Sequence, residues 1–345
     1  LFPGIAVAES LKEIDPAGEV RFIGSERGLE EEILKREGFP RETLAVGRIK
    51  GEGWKARVRT VLKLPASFWA ARGILIHWMP DVVLGIGGYS SGPVILAAFF
   101  GKIRRAILEP NAIPGFTNRI LGRFVNRIFI AFPETARFFP GRKVRVTGTP
   151  VRRELTRVGA RLIAPLQSKP FTILVIGGSQ GATALNRAMV DLLPELERSG
   201  RPFRIVHQTG KTDFEWVREA YGRTRIPHTV NPFIADIASA YREVDLVVSR
   251  AGASTVAELI ETRTPAILVP YPHAADDHQR FNALSVVRGG GAEMILNKDL
   301  AGLGERIFYY EACRDELGKM RERLGEMRKV PAAEAIAREC IALAK

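Results

Sequence analysis

Apolar residues along this chain fall into two patterns. Short runs rich in Val, Ile and Leu alternate with longer stretches in which apolar positions recur at helical spacing. Val20–Ile23, Val82–Ile86, Arg105–Leu108, Arg127–Ala131 and Val144–Thr147 read as buried strands. After Pro150 the alternation restarts with Thr172–Ile176, Phe203–His207, Leu246–Ser249 and Ala266–Pro270. Strands alternating with helices build parallel sheets from βαβ units. The pattern predicts an α/β chain of two doubly wound domains joined near Gly148-Thr149-Pro150. A length of 345 residues agrees with two domains of roughly 150 residues each. A helical pattern opens the chain at Ile5–Leu11, and a last helix is expected from Ala332 to about Lys345. The longest apolar stretches, such as Ile74–Met79 and Val94–Phe100, are well short of the ~18–20 residues of a membrane span.

Composition changes this picture little, and charge changes it more. Hydrophobic residues make up 46% and charged residues 26%, as expected of a folded globular chain. The net charge is +13, and residues 1–150 hold 23 basic against 14 acidic residues, so the excess lies mostly in the first half. A basic surface draws nucleic acid, anionic lipid or phosphorylated substrates, although solubility alone also explains it. Between Arg48 and Arg72 lie seven basic residues and one acid, Glu52, interleaved with Trp54, Val58, Val61, Leu62, Leu64, Phe68 and Trp69. Such a segment suits contact with an anionic membrane surface. An amphipathic helix with a solvated face is the plainer alternative. No nucleic-acid motif is present. Cys313 and Cys340 are too few for a disulfide framework and lack metal-ligand spacing, which fits a reducing cytoplasm. Nothing near Leu1 resembles a signal peptide, and a helix that opens so abruptly suggests a segment upstream.

The two halves share one device, a strand followed by a Gly-rich turn and a helix. The first turn is Gly85-Ile86-Gly87-Gly88-Tyr89-Ser90-Ser91-Gly92-Pro93, with Pro93 suited to the first helical position. The second is Gly177-Gly178-Ser179-Gln180-Gly181-Ala182, before a helix at Leu185–Leu193. Backbone amides at a helix N-terminus bind phosphate, because four N–H groups lack partners and the dipole favours negative charge. A tight turn without a ligand is the alternative, weakened by the device occurring twice. Neither turn is a Walker loop, and neither makes a dinucleotide fingerprint, so an NAD-dependent oxidoreductase is the weaker reading. A third strand and turn, Asp245–Ser249 then Arg250-Ala251-Gly252, leads to Ala253-Ser254-Thr255-Val256-Ala257-Glu258. A carboxylate one turn into that helix suits a ribose 2′,3′-diol, or else simply offsets the dipole. Asp276-Asp277-His278-Gln279-Arg280-Phe281-Asn282-Ala283 opens a further helix with groups able to fix sugar hydroxyls. No Asp-x-Asp pair occurs, and Asp276-Asp277-His278 diverges on one helix turn, so neither metal nor cofactor is expected. Any of His77, His207, His228, His273 and His278 could serve as a base by titration range, yet a structural or exposed role is the plainer one for each.

Taken together these segments resemble the MurG family, bacterial transferases that add N-acetylglucosamine to lipid I to make lipid II. The likeness is carried by Gly87–Pro93, Glu109–Gly115, Val146–Arg152, Gly177–Ala182, His207–Gly210, Arg250–Glu258 and Asp276–Ala283, spread over nearly the whole chain. The resemblance implies a GT-B fold, two Rossmann-like domains facing across a cleft. Residues 1–150, completed by a helix at about 330–345, would face the acceptor and the membrane, and 151–329 would bind the donor. Position by position, it implies Ser179 on the diphosphate, Ile234 presenting backbone to uracil, Ala253, Ser254, Thr255, Val256, Ala257 and Glu258 on diphosphate and ribose, and Gln279 on the sugar. Asn111 and Arg152 match two further donor-site positions. The implied partners are UDP-N-acetylglucosamine, lipid I, an anionic membrane surface and proteins of cell-wall synthesis and division. The implied place is the cytoplasmic face of the bacterial inner membrane, peripherally bound. The family carries a Gly-rich loop ending in His before the segment matching Leu1-Phe2-Pro3-Gly4, so the catalytic base is expected in a segment upstream of this sequence. A chain that binds nucleotide sugar and membrane without catalysis, or a transferase acting on another lipid, are the alternatives. Glu109-Pro110 departs from the family's more frequent Glu-Gln, and Thr149 replaces a frequent Asn.

Overall fold

The fold rests on strands whose side chains are buried on both faces. It is known from a computed structural model that describes residues 1–25, 33–44, 54–88, 90–159, 170–178, 181–328 and 331–345, the side chains of 54–64 excepted. The chain divides into two units, Leu1–Arg152 with Val330–Lys345, and Arg153–Lys329.

In the first unit the order is α1 (Phe2–Ile14), β1 (Phe22–Ser25), β2 (Arg41–Leu44), α2 (Trp54–Trp78), β3 (Val82–Gly85), α3 (Ser91–Phe100), β4 (Arg104–Glu109), α4 (Phe116–Leu121), β5 (Arg127–Ile130) and β6 (Val144–Val146). β3, β4, β5 and β6 pair in parallel in that order, and β1 pairs β2 in parallel. Alternate residues of a strand face opposite sides. Ala106 and Leu108 of β4 therefore pack with Val7 of α1, Phe129 and the C-terminal helix residues Ile336, Ala337 and Cys340. Ile107 packs on the other side with Ile95, Leu121, Ile128 and Ile130. Two-sided burial is why these strands read as continuous apolar runs. The C-terminal helix, Ala332–Ala344, lies where the helical pattern put it.

In the second unit the order is α5 (Arg153–Gly159), β7 (Phe171–Ile176), α6 (Thr183–Arg198), β8 (Phe203–Gln208), α7 (Phe214–Tyr221), β9 (His228–Asn231), α8 (Ile237–Arg242), β10 (Leu246–Ser249), α9 (Ala253–Thr262), β11 (Ala266–Leu268), α10 (His278–Arg288), β12 (Ala292–Met294), α11 (Leu303–Ala312) and α12 (Arg314–Met327). All six strands are parallel, in the order β12-β11-β10-β7-β8-β9. The chain runs from β7 outward to β9, then returns to lay β10 on the other side of β7. That reversal is a topological switch point, and the crevice outside the carboxyl ends of its strands is where such sheets bind ligands.

Three strands were not predicted: β2, β9 and β12. Helix α3 begins at Ser91, so Pro93 is its third residue rather than its first. That position still lies in the first turn, where a backbone N–H has no helical partner to lose. Among the described residues no helix is long and apolar enough to cross a membrane.

Candidate functional site

The switch point brings two helix starts together. β7 and β10 are neighbours with Ile176 opposite Ser249, so the turns that follow them leave the sheet at one height. The first turn feeds α6, whose N-cap is Ala182, and the second feeds α9, whose N-cap is Gly252. Neither N-cap residue supplies a side-chain cap, and neither helix has an acidic residue in its first turn; among the described residues both starts are uncapped. Ser, Thr, Asp or Asn would normally satisfy such amides. Two uncapped helix starts flanking one crevice leave N–H groups and positive dipole ends for an anion with more than one phosphate.

The turn after β7 needs glycine for two reasons. Gly178 and Gly181 take φ of +88° and +80°, where side chains are strained. A Cβ on Gly181 would also strike the Thr209 carbonyl oxygen and come within 3.1 Å of Gly210 Cα. The backbone after β8 thus supports the turn after β7 directly. It is pinned in turn by Asn186 of α6, whose Nδ2 donates to the Thr209 carbonyl (2.9 Å) and to Asp213 (2.8 Å). Asn186 Oδ1 is then left as an acceptor. His207 Nε2, 3.0 Å away, must carry the proton, and His207 Nδ1 accepts from Tyr221 Oη at 3.0 Å. Burial pushes the imidazole down to about 3, against a smaller opposing pull from Asp213. His207 is a neutral structural ring, not a base. Burial pushes the Asp213 carboxyl up, but bonds from Thr183, Trp216 and Asn186 and the charge of Arg187 outweigh it and hold it below the usual range.

The other expected residues of this unit gather on the same edge. Ile234, in the loop after β9, has its N–H taken by the Gln208 side chain at 2.9 Å. Glu258 is the sixth residue of α9, one turn into the helix, and accepts from Tyr241 Oη at 3.3 Å. Gln279 accepts the Tyr271 N–H at 3.0 Å, which fixes its carboxamide beside the end of β11. Asp276 and Asp277, just before it, both adopt left-handed backbone, with φ of +51° and +52°. Ser179 lies outside the described residues. Asn111 and Arg152 belong to the first unit. Asn111 follows β4, and both its backbone N–H and its side-chain amide donate to the buried Glu109 carboxylate, at 3.0 and 3.1 Å. The Arg152 guanidinium stacks 4.1 Å from the Phe2 ring centroid.

Arg250 and Gln208 are site residues that the sequence motifs contain without marking a role for them. Arg250, 8% exposed, donates to the Val269 and Pro270 carbonyls and to Asn297, which ties the turn after β10 to the end of β11. Gln208 ends β8 and bridges two loops. Among the described residues no group of His, Cys, Asp or Glu could hold a metal ion.

Two units of parallel α/β sheet, one with an anion-ready switch point, define the class as a GT-B type glycosyltransferase fold. The glycosyltransferase family 28 N-terminal domain matches residues 1–130 and its C-terminal domain matches residues 172–332. A relative from an Anaeromyxobacter strain is 43% identical over 100% of this chain and 91% of its own. One from Myxococcus xanthus is 41% identical over 99% and 90%. Both are called UDP-N-acetylglucosamine–N-acetylmuramyl-(pentapeptide) pyrophosphoryl-undecaprenol N-acetylglucosamine transferase. The crystal structure of Acinetobacter baumannii MurG matches with a TM-score of 0.78 at 30% identity, covering 99% of this chain and 95% of that one. This chain belongs to the MurG family of glycosyltransferase family 28.

Proposed function

We propose that the protein moves N-acetylglucosamine from UDP-N-acetylglucosamine to the C4 hydroxyl of the muramyl sugar of undecaprenyl-pyrophosphoryl-N-acetylmuramyl-pentapeptide, with inversion, in peptidoglycan synthesis. The observation that carries the donor side is the pair of uncapped helix starts, α6 and α9, at the switch point of the second unit. The donor diphosphate lies against their amides, with Ala253–Ala257 at the start of α9, and Ser179 is assigned to it by resemblance. Glu258, held by Tyr241, accepts from the ribose diol. Because Gln208 occupies the Ile234 N–H, the Ile234 carbonyl is the group that meets uracil N3–H. Gln279 has its oxygen engaged by Tyr271, so its amide hydrogens face the sugar hydroxyls. As the glycosidic bond breaks, charge grows on the UDP oxygens, where fixed dipoles stabilise it. Arg152, a permanent cation, is assigned to the donor by resemblance. Asn111 is assigned to the donor by resemblance, and the general base is unassigned.

We assign the acceptor and the membrane to the first unit. At the amino ends of its strands a pocket of about 330 Å³ is lined by Arg105, Arg123, Arg127, Arg142 and Lys143 beside Phe99 and Phe124. Burial, then neighbouring positive charge, lowers the affinity of Arg105 and Lys143 for their protons. Trp69, Phe100 and Met79 are exposed at 66%, 64% and 79%. Cations beside exposed aromatic rings favour peripheral contact with anionic lipid on the cytoplasmic face. Part of the sequence segment that first suggested this contact, residues 48–53 and the side chains to residue 64, lies outside the described residues.

Transfer from labelled UDP-N-acetylglucosamine to a soluble lipid I analogue tests the reading. Labelled disaccharide without added metal is the expected result. Donor binding without product would instead favour a nucleotide-sugar binding protein, and binding of NAD in place of the donor would sink both. Glu258→Ala should raise the donor KM about tenfold or more, since hydrogen bonds to a charged group contribute ~1.5–3 kcal/mol.

A further inference from the structure

We infer that Gln208 is a positioning residue that couples the turn assigned to the diphosphate to the loop assigned to the base, so that neither is read independently of the other. The inference rests on the donor-site reading above. Described residues that follow three neighbouring strands lie side by side: Gly177, Gly178, Gly181 and Ala182 after β7, Thr209–Gly210 after β8 and Pro232–Ile234 after β9. Gln208 is the last residue of the middle strand and is 5% exposed. Its Nε2 donates to the Gly178 carbonyl at 3.2 Å, and its Oε1 accepts from the Ile234 N–H at 2.9 Å.

A carboxamide has a donor end and an acceptor end on one rigid plane. A carboxylate of the same length offers acceptors only, and an ammonium offers donors only. Gln208 spans from a carbonyl on one side to an N–H on the other, so the separation of the two loops is fixed by one planar group. The anchor itself is firm. Thr209 N donates to the Asn231 carbonyl at 3.0 Å, Asn186 holds the Thr209 carbonyl at 2.9 Å, and Gly181 packs against that same carbonyl. A shift of the base loop therefore reaches the phosphate turn through Gln208.

The test measures dissociation constants of UDP, CDP and uridine for the full chain and for two variants that keep the side-chain length. Cytosine lacks the N3 proton, so the UDP-to-CDP ratio reports the base loop. The UDP-to-uridine ratio reports the phosphate turn. Gln208→Met removes both bonds, and both ratios should fall about tenfold. Gln208→Glu keeps the acceptor for Ile234 but loses the donor to Gly178. Its UDP-to-CDP ratio should stay within about threefold of the parent while its UDP-to-uridine ratio falls about tenfold. The donor KM should rise in both variants, with kcat changed less than about threefold.

Equal weakening of all three ligands in Gln208→Met, or no change in either ratio, overturns the inference and leaves a merely structural side chain. A parent protein that does not prefer UDP over CDP overturns the base reading at Ile234, and this inference with it. A parent preference that survives in Gln208→Met overturns this inference alone. If Gln208→Met shows no cooperative melt, the unequal response expected of Gln208→Glu decides the matter by itself.

Discussion

The turns after β3 and after β7 share a sequence signature and differ in what surrounds them. After β3, Gly87 and Gly88 take φ of +90° and +83°, and a Cβ on either would meet nothing within 4 Å among the described residues. After β7, a Cβ on Gly177 would lie 2.5 Å from Ala182 N, and one on Gly181 would collide with the Thr209 carbonyl. In the first unit, glycine serves backbone conformation and leaves open space beside the turn. In the second, it also serves a close approach of one loop to the next. The same residue letter thus marks an open surface in one unit and an interlocked edge in the other. A ligand with fixed geometry, such as a nucleotide, suits the interlocked edge. A larger acceptor suits the open one.

The strongest way to break this comparison is Gly181→Ala. The substitution combines left-handed backbone, at about 1–2 kcal/mol, with a backbone collision that no side-chain rotation relieves. We expect a loss of about 3 kcal/mol or more in urea unfolding, together with loss of UDP binding. A parent-like midpoint would show that the loop after β8 yields, and the interlocking argument would go with it.

A smaller effect comes from acid. His207 is neutral in the folded chain, with its titration pushed from 6.5 down to about 3. Between those values the unfolded chain binds a proton that the folded chain refuses. The stability is fully present above about pH 6.5 and is lost as pH falls through that window toward 3. The slope approaches ~1.4 kcal/mol per pH unit. His207→Gln should be less stable than the parent at pH 7 but should lose less between pH 6.5 and 4.5. Equal losses over that range would show that the ring does not carry the acid sensitivity.

How much of this was legible in the sequence follows from which partners are local. β7 and β10 announced themselves because both faces are buried and the residues are almost all apolar, and β4 did so through its buried Ala106-Ile107-Leu108. β2, β9 and β12 lie at sheet edges and read Arg-Glu-Thr-Leu, His-Thr-Val-Asn and Ala-Glu-Met, which no apolar pattern marks. Glu258 was visible because a strand, a small-residue turn and a helix start are neighbours in the chain. Gln208 was not, because its partners lie 30 and 26 residues away. Arg250 was hidden for the same reason, with partners 19 to 47 residues on. The available hint was a long polar side chain at the carboxyl end of a largely buried strand.

The smallest effect sharpens the comparison from the open side. Gly88→Ala adds a Cβ with no neighbour within 4 Å among the described residues, so its cost is that of the left-handed backbone. That is about 1–2 kcal/mol, below what Gly181→Ala should show. Alanine at position 88 should leave UDP affinity unchanged, because the turn belongs to the unit assigned to the acceptor. If the open space is where the acceptor sugar rests, the added methyl should raise the KM for a lipid I analogue while the donor KM stays put. A donor KM that rose instead would place the turn after β3 on the nucleotide. The difference between the two turns would then be one of packing alone and not of substrate.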